Sequence, residues 1–331
     1  MDTDAAMRRA LELSRAVLGT TSPNPPVGAV VLDRHGDVVG EGATQPTGGA
    51  HAEVEALRAA GGRAAGGTLV VTLEPCRHTG RTPPCTDAVV SAGIARVVVA
   101  CADATEPAGG GADELRSAGL AVDLGCLADE VARGPLEAWL HLQATGRPFV
   151  TWKYAATLDG RSAAADRTSR WITGEPARQD VHRLRAEVDA VVVGVGTVLA
   201  DDPQLTVRPD PGHQPLRVVL DRSARTPSSA RVHDAEAETL VLSDDLLAVL
   251  QLLRDRGVVS VLLEGGPTLA ASFLSAGLVD RVVGYVAPAL LGSGPAAIGD
   301  LGVGTINDAL RLRLDEVMRV GDDLRLTLRS A

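Results

Sequence analysis

Apolar and small residues at Ala6, Met7, Ala10, Leu11, Leu13, Ser14, Val17 and Leu18 recur at helical spacing until Gly19 stops the pattern. Residues 20–26 form a loop with three prolines and Asn24. The apolar runs 27–32 and 38–41 flank Asp33-Arg-His-Gly36 and predict a hairpin. Beyond it, helices are predicted over 51–60, 85–92 and 112–118, and strands over 68–73, 96–101 and 120–124. Most of these strands are apolar throughout rather than alternating, which implies a mostly parallel sheet covered on both faces. A helical pattern over 136–144 ends at Gly146-Arg-Pro148, a breaker cluster and the best domain boundary. A second α/β pattern follows, with strands over 149–155, 190–195, 216–220, 239–242 and 258–263 and helices over 175–188, 245–256 and 266–276. Residues 281–286 and 323–329 are predicted to close it as antiparallel strands. No internal repeat is visible. The pattern therefore predicts two α/β domains, over 1–147 and 148–331.

Composition narrows what such a protein does. The 331 residues are 45% hydrophobic and 22% charged, so both domains can bury a core. No apolar run approaches the roughly 20 residues of a membrane span. The chain opens acidic, Met1-Asp-Thr-Asp, where a secretory leader would be basic and then apolar. Net charge −10 with 2% aromatic residues argues against nucleic-acid binding, which uses basic surface and stacking rings. Four cysteines, Cys76, Cys85, Cys101 and Cys126, do not make a disulfide scaffold in so long a chain, and point to a reducing, cytoplasmic setting. Lysine occurs once, Lys153, among 32 basic residues. GC-rich coding accounts for such a ratio in general. The one retained lysine still marks a place where an ammonium differs from a guanidinium.

His51-Ala52-Glu53 opens a predicted helix, while Cys76 and Cys85 follow a buried strand. A catalytic zinc site needs three protein ligands, an open position for water and a carboxylate that is not a ligand. His51, Cys76 and Cys85 supply the three, and Glu53 the carboxylate. The order is the His-x-Glu…Pro-Cys arrangement of zinc deaminases, in which the metal activates water and the glutamate shuttles protons. Eight residues separate the two cysteines, where the usual pattern has two. Taken singly, His51 reads as a helix start and each cysteine as a small core residue; Cys101 and Cys126 keep that reading.

The longer spacing carries a resemblance. Thr72-Leu-Glu-Pro-Cys-Arg-His-Thr-Gly-Arg-Thr-Pro-Pro-Cys85, Pro23-Asn-Pro-Pro-Val-Gly-Ala-Val-Val31 and His51-Ala-Glu-Val-Glu-Ala-Leu57 closely resemble the deaminase half of the bifunctional riboflavin-biosynthesis deaminase/reductases. The resemblance implies a cytidine-deaminase-like three-layer domain that deaminates a diaminopyrimidinone carrying a ribosylamino 5-phosphate. It implies that Asn24 lines the base pocket and that Arg77, His78 and Arg81 meet the substrate. Two stretches depart from the family pattern. Gly42-Ala-Thr-Gln45 stands where Gly-x-His is common, and Asp103-Ala-Thr-Glu-Pro107 stands for Asp-Pro-Asn-Pro.

In the second domain, Lys153-Tyr-Ala-Ala-Thr-Leu-Asp-Gly-Arg161, Gly194-Val-Gly-Thr197 and Glu264-Gly-Gly-Pro-Thr268 all follow strands, where open α/β sheets bind ligands. The glycines let backbone amides approach a pyrophosphate, and a helix N-terminus favours its charge. Asp221-Arg-Ser-Ala-Arg225 ends another strand. Asp221 there either holds a ribose hydroxyl or turns inward to cap the loop, and Arg222, Ser223 and Arg225 either accept a 2′-phosphate or form a solvated turn. The whole set resembles the reductase half of the same family, implying a dihydrofolate-reductase-like α/β fold and reduction of ribosylamino to ribitylamino by NADPH. By motif position, the resemblance puts Ala155, Trp171, Thr197, Asp201, Ser223 and Gly266, Pro267, Thr268, Leu269, Ala270, Ala271 and Ser272 against the cofactor. Ser169, Arg185, Leu205, Arg208 and Glu264 fall to the substrate, with Arg185 and Arg208 suited to phosphate. Lys153 takes a charge-stabilising or proton-handling role. The implied cofactors are Zn2+ and NADPH, and the partner is a small phosphorylated pyrimidine, with homo-oligomerisation open. Two other readings share parts of this pattern: a nucleic-acid base deaminase, and a reductase whose first domain is a structural zinc module. Glu53 speaks against the second of these, since a structural site has no use for it.

Overall fold

The computed structural model describes residues 1–79, 83–106, 108–208 and 212–330. Arg81 and Pro107 lie outside these. The chain divides into two compact units, Met1–Gly146 and Arg147–Ala331.

Helix α1 (Thr3–Ala16) starts at Asp2, whose carboxylate accepts from the Ala5 N–H at 2.7 Å. Strands β1 (Gly28–Leu32) and β2 (Val38–Ala43) form the hairpin, and helix α2 (Ala52–Ala60) leads to β3 (Thr68–Leu73). Helix α3 (Cys85–Ser91), β4 (Arg96–Cys101), α4 (Gly111–Ser117) and β5 (Ala121–Leu124) follow, then α5 (Ala128–Ala132) and α6 (Glu137–Thr145). The sheet order is β2-β1-β3-β4-β5. Parallel pairing holds for β3, β4 and β5, but β1 runs antiparallel to both neighbours, so the sheet is mixed. A tight hairpin can only join antiparallel strands. Helix α2 then carries the chain back, so that β3 runs like β2 and pairs with the other edge of β1.

The layers follow from two glycines. A Cβ at Gly28 would lie 2.0 Å from the Ala10 carbonyl of α1, and one at Gly42 would lie 2.4 Å from the Ala52 carbonyl of α2. Gly28 pairs with Ala43, whereas Gly42 pairs with Ala29, one residue along. Adjacent positions on a strand face opposite sides. Helices α1 and α2 therefore pack on opposite faces, each against bare backbone, and all five residues of β1 are buried.

The second unit runs β6 (Phe149–Thr157), α7 (Glu175–Ala186), β7 (Ala190–Gly194), α8 (Val195–Asp201), β8 (Leu216–Leu220), β9 (Thr239–Leu242), α9 (Leu246–Asp255), β10 (Ser260–Leu263), α10 (Pro267–Ser275), β11 (Arg281–Ala287), β12 (Leu312–Val320) and β13 (Asp323–Ser330). Its sheet order is β12-β13-β11-β6-β10-β7-β8-β9. Ala190 and Val192 of β7 enter one core with Phe273 and Leu250, while Val191 and Val193 enter the other with Leu184 and Tyr285. Alternate residues thus serve two cores, which explains the unbroken apolar runs. Residues 281–286 and 323–329 pair antiparallel as expected, as β11 with β13, while on its other side β11 runs parallel to β6. Strand β12 carries Arg313, Asp315, Glu316 and Arg319 and is exposed along most of its length, so an edge strand left no apolar signal. The segment after Gly194, read from sequence as following a strand, coils directly into α8.

Candidate functional site

His51 is the N-cap residue of α2, yet its side chain makes no capping hydrogen bond. Its Nδ1 instead faces sulfur, 3.6 Å from Cys76 Sγ and 3.2 Å from Cys85 Sγ. Cys76 lies in the turn after β3, and Cys85 is the first residue of α3, held to that turn by Thr86 N–H donating to the Cys76 carbonyl at 3.2 Å. The three ligand atoms fall within 4.8 Å of one another. A tetrahedral zinc at ordinary bond lengths sets imidazole nitrogen and thiolate sulfur about 3.5 Å apart. The three side chains fit that ion.

Electrostatics agree. Burial lifts the Glu53 carboxyl to about 7, against the opposing charge of His51. The Cys85 thiol, hydrogen-bonding to Cys76 and desolvated, pulls the Cys76 thiol down and is itself pushed up. Two sulfurs and a carboxyl this close cannot all ionise without a cation among them. Asn24 is half-buried in the loop before β1, held by Asn24 N–H donating to Thr21 O at 3.0 Å. Gly28 N–H donates to Thr72 Oγ1 at 3.0 Å, which brings that loop alongside the end of β3 that leads to Cys76. Arg77 is exposed, and the His78 Nδ1 is buried without a partner among the described residues. One buried carboxylate, Glu74, sits inside the quoted motif but has no role in the sequence reading.

In the second unit, the carboxyl ends of β6, β10, β7 and β8 are neighbours, and the expected nucleotide residues follow them. Gly266 caps α10, and a Cβ there would stand 3.8 Å from Thr197 Oγ1 in the first turn of α8. Ala155 lies on β6; Ala270 and Ala271 are core residues, so α10 offers a ligand its backbone and the exposed Thr268 and Ser272. Pro267 and Leu269 are half-buried. Trp171 is 69% exposed, with the Arg178 guanidinium 4.4 Å from its ring centroid. The Asp201 carbonyl accepts from Arg170. Asp221 is turned inward: its carboxylate accepts from Ser223 N–H at 3.2 Å and from Thr226 N–H and Oγ1–H, both at 2.7 Å. That leaves Arg222, Ser223 and Arg225 exposed.

Among the substrate-assigned residues, Arg185 and Glu264 are joined to each other. Arg185 Nε and Nη2 donate to the Glu264 carboxylate at 2.6 and 3.0 Å, and Nη1 donates to Thr206 O at 3.1 Å. Lys153 lies by this pair; burial lowers its pKa, while Glu264 supports its charge. His182, absent from the sequence reading, places Nδ1 3.1 Å from the same Thr206 carbonyl. Its pKa is lowered by desolvation and by the charges of Arg185 and Arg208. Arg208 is exposed, Ser169 half-buried and Leu205 buried with φ +58°. A histidine on the third turn of an amphipathic helix gives no signal of this in sequence.

Known proteins give the same picture. The family described as cytidine and deoxycytidylate deaminase zinc-binding region matches residues 1–101, and the RibD C-terminal domain matches residues 148–326. The riboflavin biosynthesis protein RibD of Mycobacterium tuberculosis is 54% identical over 330 residues, covering 98% of this chain and 96% of that protein. The RibD of Escherichia coli is 40% identical over 369 residues, covering all of both chains. Among solved structures, the diaminohydroxyphosphoribosylaminopyrimidine deaminase/5-amino-6-(5-phosphoribosylamino)uracil reductase of Thermotoga maritima matches with TM-score 0.93 at 35% identity over 99% of each chain. Acinetobacter baumannii RibD matches with TM-score 0.91 at 39% identity, again over 99% of each. With a zinc-type triad in one unit, a nucleotide-type strand edge in the other and full-length relatives of this identity, the chain belongs to the RibD family of riboflavin-biosynthesis proteins.

Proposed function

We propose that the first unit hydrolytically deaminates 2,5-diamino-6-ribosylamino-4(3H)-pyrimidinone 5′-phosphate, and that the second reduces the ribosyl group of the product to ribityl with NADPH. The spacing of His51 Nδ1 and the two cysteine sulfurs, beside a buried carboxyl, carries the first half. What zinc supplies in such a setting is Lewis acidity toward water at neutral pH. Glu53 does the proton work. A carboxyl lifted to about 7 takes a proton and returns it with comparable ease near neutrality, so it can serve first as base and then as acid toward the leaving amine. His51, Cys76 and Cys85 hold the metal, and Asn24 orients the base.

In the reductase half the cofactor supplies a hydride. The Gly266 turn and the α10 backbone take its pyrophosphate, Trp171 its exposed flank, and the Arg222–Arg225 turn its 2′-phosphate. With its carboxylate spent on its own loop, Asp221 is not available to select a free 2′-hydroxyl. The guanidinium of Arg185 is engaged by Glu264 and Thr206, so the exposed Arg208 takes the substrate phosphate while Arg185 keeps Glu264 charged and in place. Glu264 in turn supports the ammonium of Lys153 beside the ribosyl group. Among the described residues no helix is long and apolar enough to cross a membrane. None of the four cysteines is in a disulfide, in keeping with a reducing cytoplasm.

The test is to give purified protein the diaminopyrimidinone phosphate and to follow ammonia and NADPH separately. Ammonia release without NADPH, and NADPH oxidation only once deaminated product is present, are expected. NADPH oxidation with no ammonia released would refute the deaminase half.

A further inference from the structure

Glu74 is 6% exposed, two residues before Cys76, and both of its carboxylate oxygens are spent on one stretch of chain. Oε2 accepts from the Asp103 N–H at 2.8 Å and Oε1 from the Ala112 N–H at 2.7 Å. Those two amides flank the connection from β4 to α4. A buried carboxylate is costly unless its hydrogen bonds are filled, so a residue present only to occupy space there would be apolar. The connection also presses on the turn that carries Cys76: a Cβ at Gly111 would lie 1.9 Å from the Pro75 carbonyl. Arg77 N–H donates to Ala108 O at 3.4 Å, and the Arg77 guanidinium lies against Gly110, its Nε 3.2 Å from where a Cβ would be. Among the described residues no carboxylate pairs with Arg77, whose side chain is exposed.

We propose that Glu74 is a positioning residue of the deamination site: it clasps the β4–α4 connection against the Cys76 turn and so fixes the Arg77 guanidinium for the anionic, phosphate-bearing end of the substrate. The proposal rests on the deaminase reading above. A guanidinium presents a planar fork that suits phosphate, and its value depends on being held in one place before the ligand arrives. Gly110 provides the flat floor for that fork, and Glu74 keeps the floor in position. The hydrogen bonds of Glu74 go to the backbone of Asp103 and Ala112 and not to the donor atoms of the metal set. Its effect reaches the reaction through substrate binding.

The experiment compares wild type, Glu74→Gln, Arg77→Ala and the double variant, reading zinc content, kcat and KM for ammonia release. A glutamine keeps the size of the side chain but sets an NH2 group against one of the two amide donors. Glu74→Gln should retain zinc and raise KM about tenfold with kcat within about twofold, the signature of lost uniform binding. Arg77→Ala should raise KM at least as much, and the double variant should be no worse than Arg77→Ala, because Glu74 acts through Arg77. Unchanged KM in either single variant overturns the proposal. So do additive penalties in the double variant, or a joint loss of zinc and kcat in Glu74→Gln, which would make Glu74 a purely structural support. Should Glu74→Gln fail to fold, Glu74→Asp, which keeps the carboxylate but shortens its reach to the two amides, takes its place and is read against Arg77→Ala in the same way. A wild type that releases no ammonia would instead sink the deaminase reading, and the proposal with it.

Discussion

Glu53 and Arg185 illustrate how a single buried charge is made useful. Glu53 has no cation bonded to it, and burial raises its proton affinity into the neutral range. Replacing it with glutamine keeps the shape and removes the titrating group. Glu53→Gln should retain zinc and lose about 10²–10⁴-fold in ammonia release, while NADPH oxidation with pre-deaminated substrate persists. Ammonia release at the native rate would take Glu53 out of the mechanism. Arg185 shows the opposite arrangement, a charge kept ionised by a bidentate partner, with side chains only 12% and 8% exposed. Arg185→Ala takes the bidentate partner from the Glu264 carboxylate and leaves it the charge of Lys153, and the loss costs up to about 3–5 kcal/mol. Thermal unfolding should therefore show the second unit melting lower by about 10 °C. An unshifted transition would mean that the pair does not hold the site together.

At the scale of elements, close approach and loop geometry decide function. Helix α1 reaches β1 only because Gly28 lacks a Cβ, and the blocking atom is a backbone carbonyl that cannot swing away. Gly28→Ala should destabilise by about 1–3 kcal/mol or more. Gly62→Ala, at a site with nothing within 4 Å, is the matched control and should be near neutral in denaturant titration. Equal behaviour of the two would contradict the packing described. The turn after β8 makes a sharper claim. Because Asp221 caps its own loop, Arg222 and Arg225 stand exposed beside it, and the proposed function gives them the 2′-phosphate. Alanine at both should raise KM for NADPH and leave that for NADH nearly unchanged. Equal weakening of both cofactors would place the 2′-phosphate elsewhere.

At the scale of the whole molecule, two chemistries sit on two separately cored sheets. Zinc binding energy is also folding energy for the unit that holds the metal. A strong chelator should abolish ammonia release and lower the melting of the first unit, while NADPH oxidation with deaminated substrate continues. Cys76→Ser and Cys85→Ser should reproduce the chelator's effect, and Cys101→Ser and Cys126→Ser should not. Parallel loss of both activities on chelation would show that the second unit needs the metal too.

The primary sequence by itself determined which parts exist. Apolar periodicity marked nearly every strand that is buried on both faces, since such strands must be apolar throughout. The order His51, Glu53, Cys76, Cys85 named a metal set because few other chemistries need those residue types together. Local pattern carries no information about where two distant segments meet, and there the tertiary structure decided. It ran β11 parallel to β6, because a crossover through α10 returns the chain in the same direction. It made an edge strand of residues 312–320, whose charges hid any period. It joined Arg185 to Glu264, 79 positions apart, and so turned two separately assigned binding residues into one buried pair. And it closed Glu74 onto Asp103 and Ala112, because a carboxylate finds its donors through space rather than along the chain.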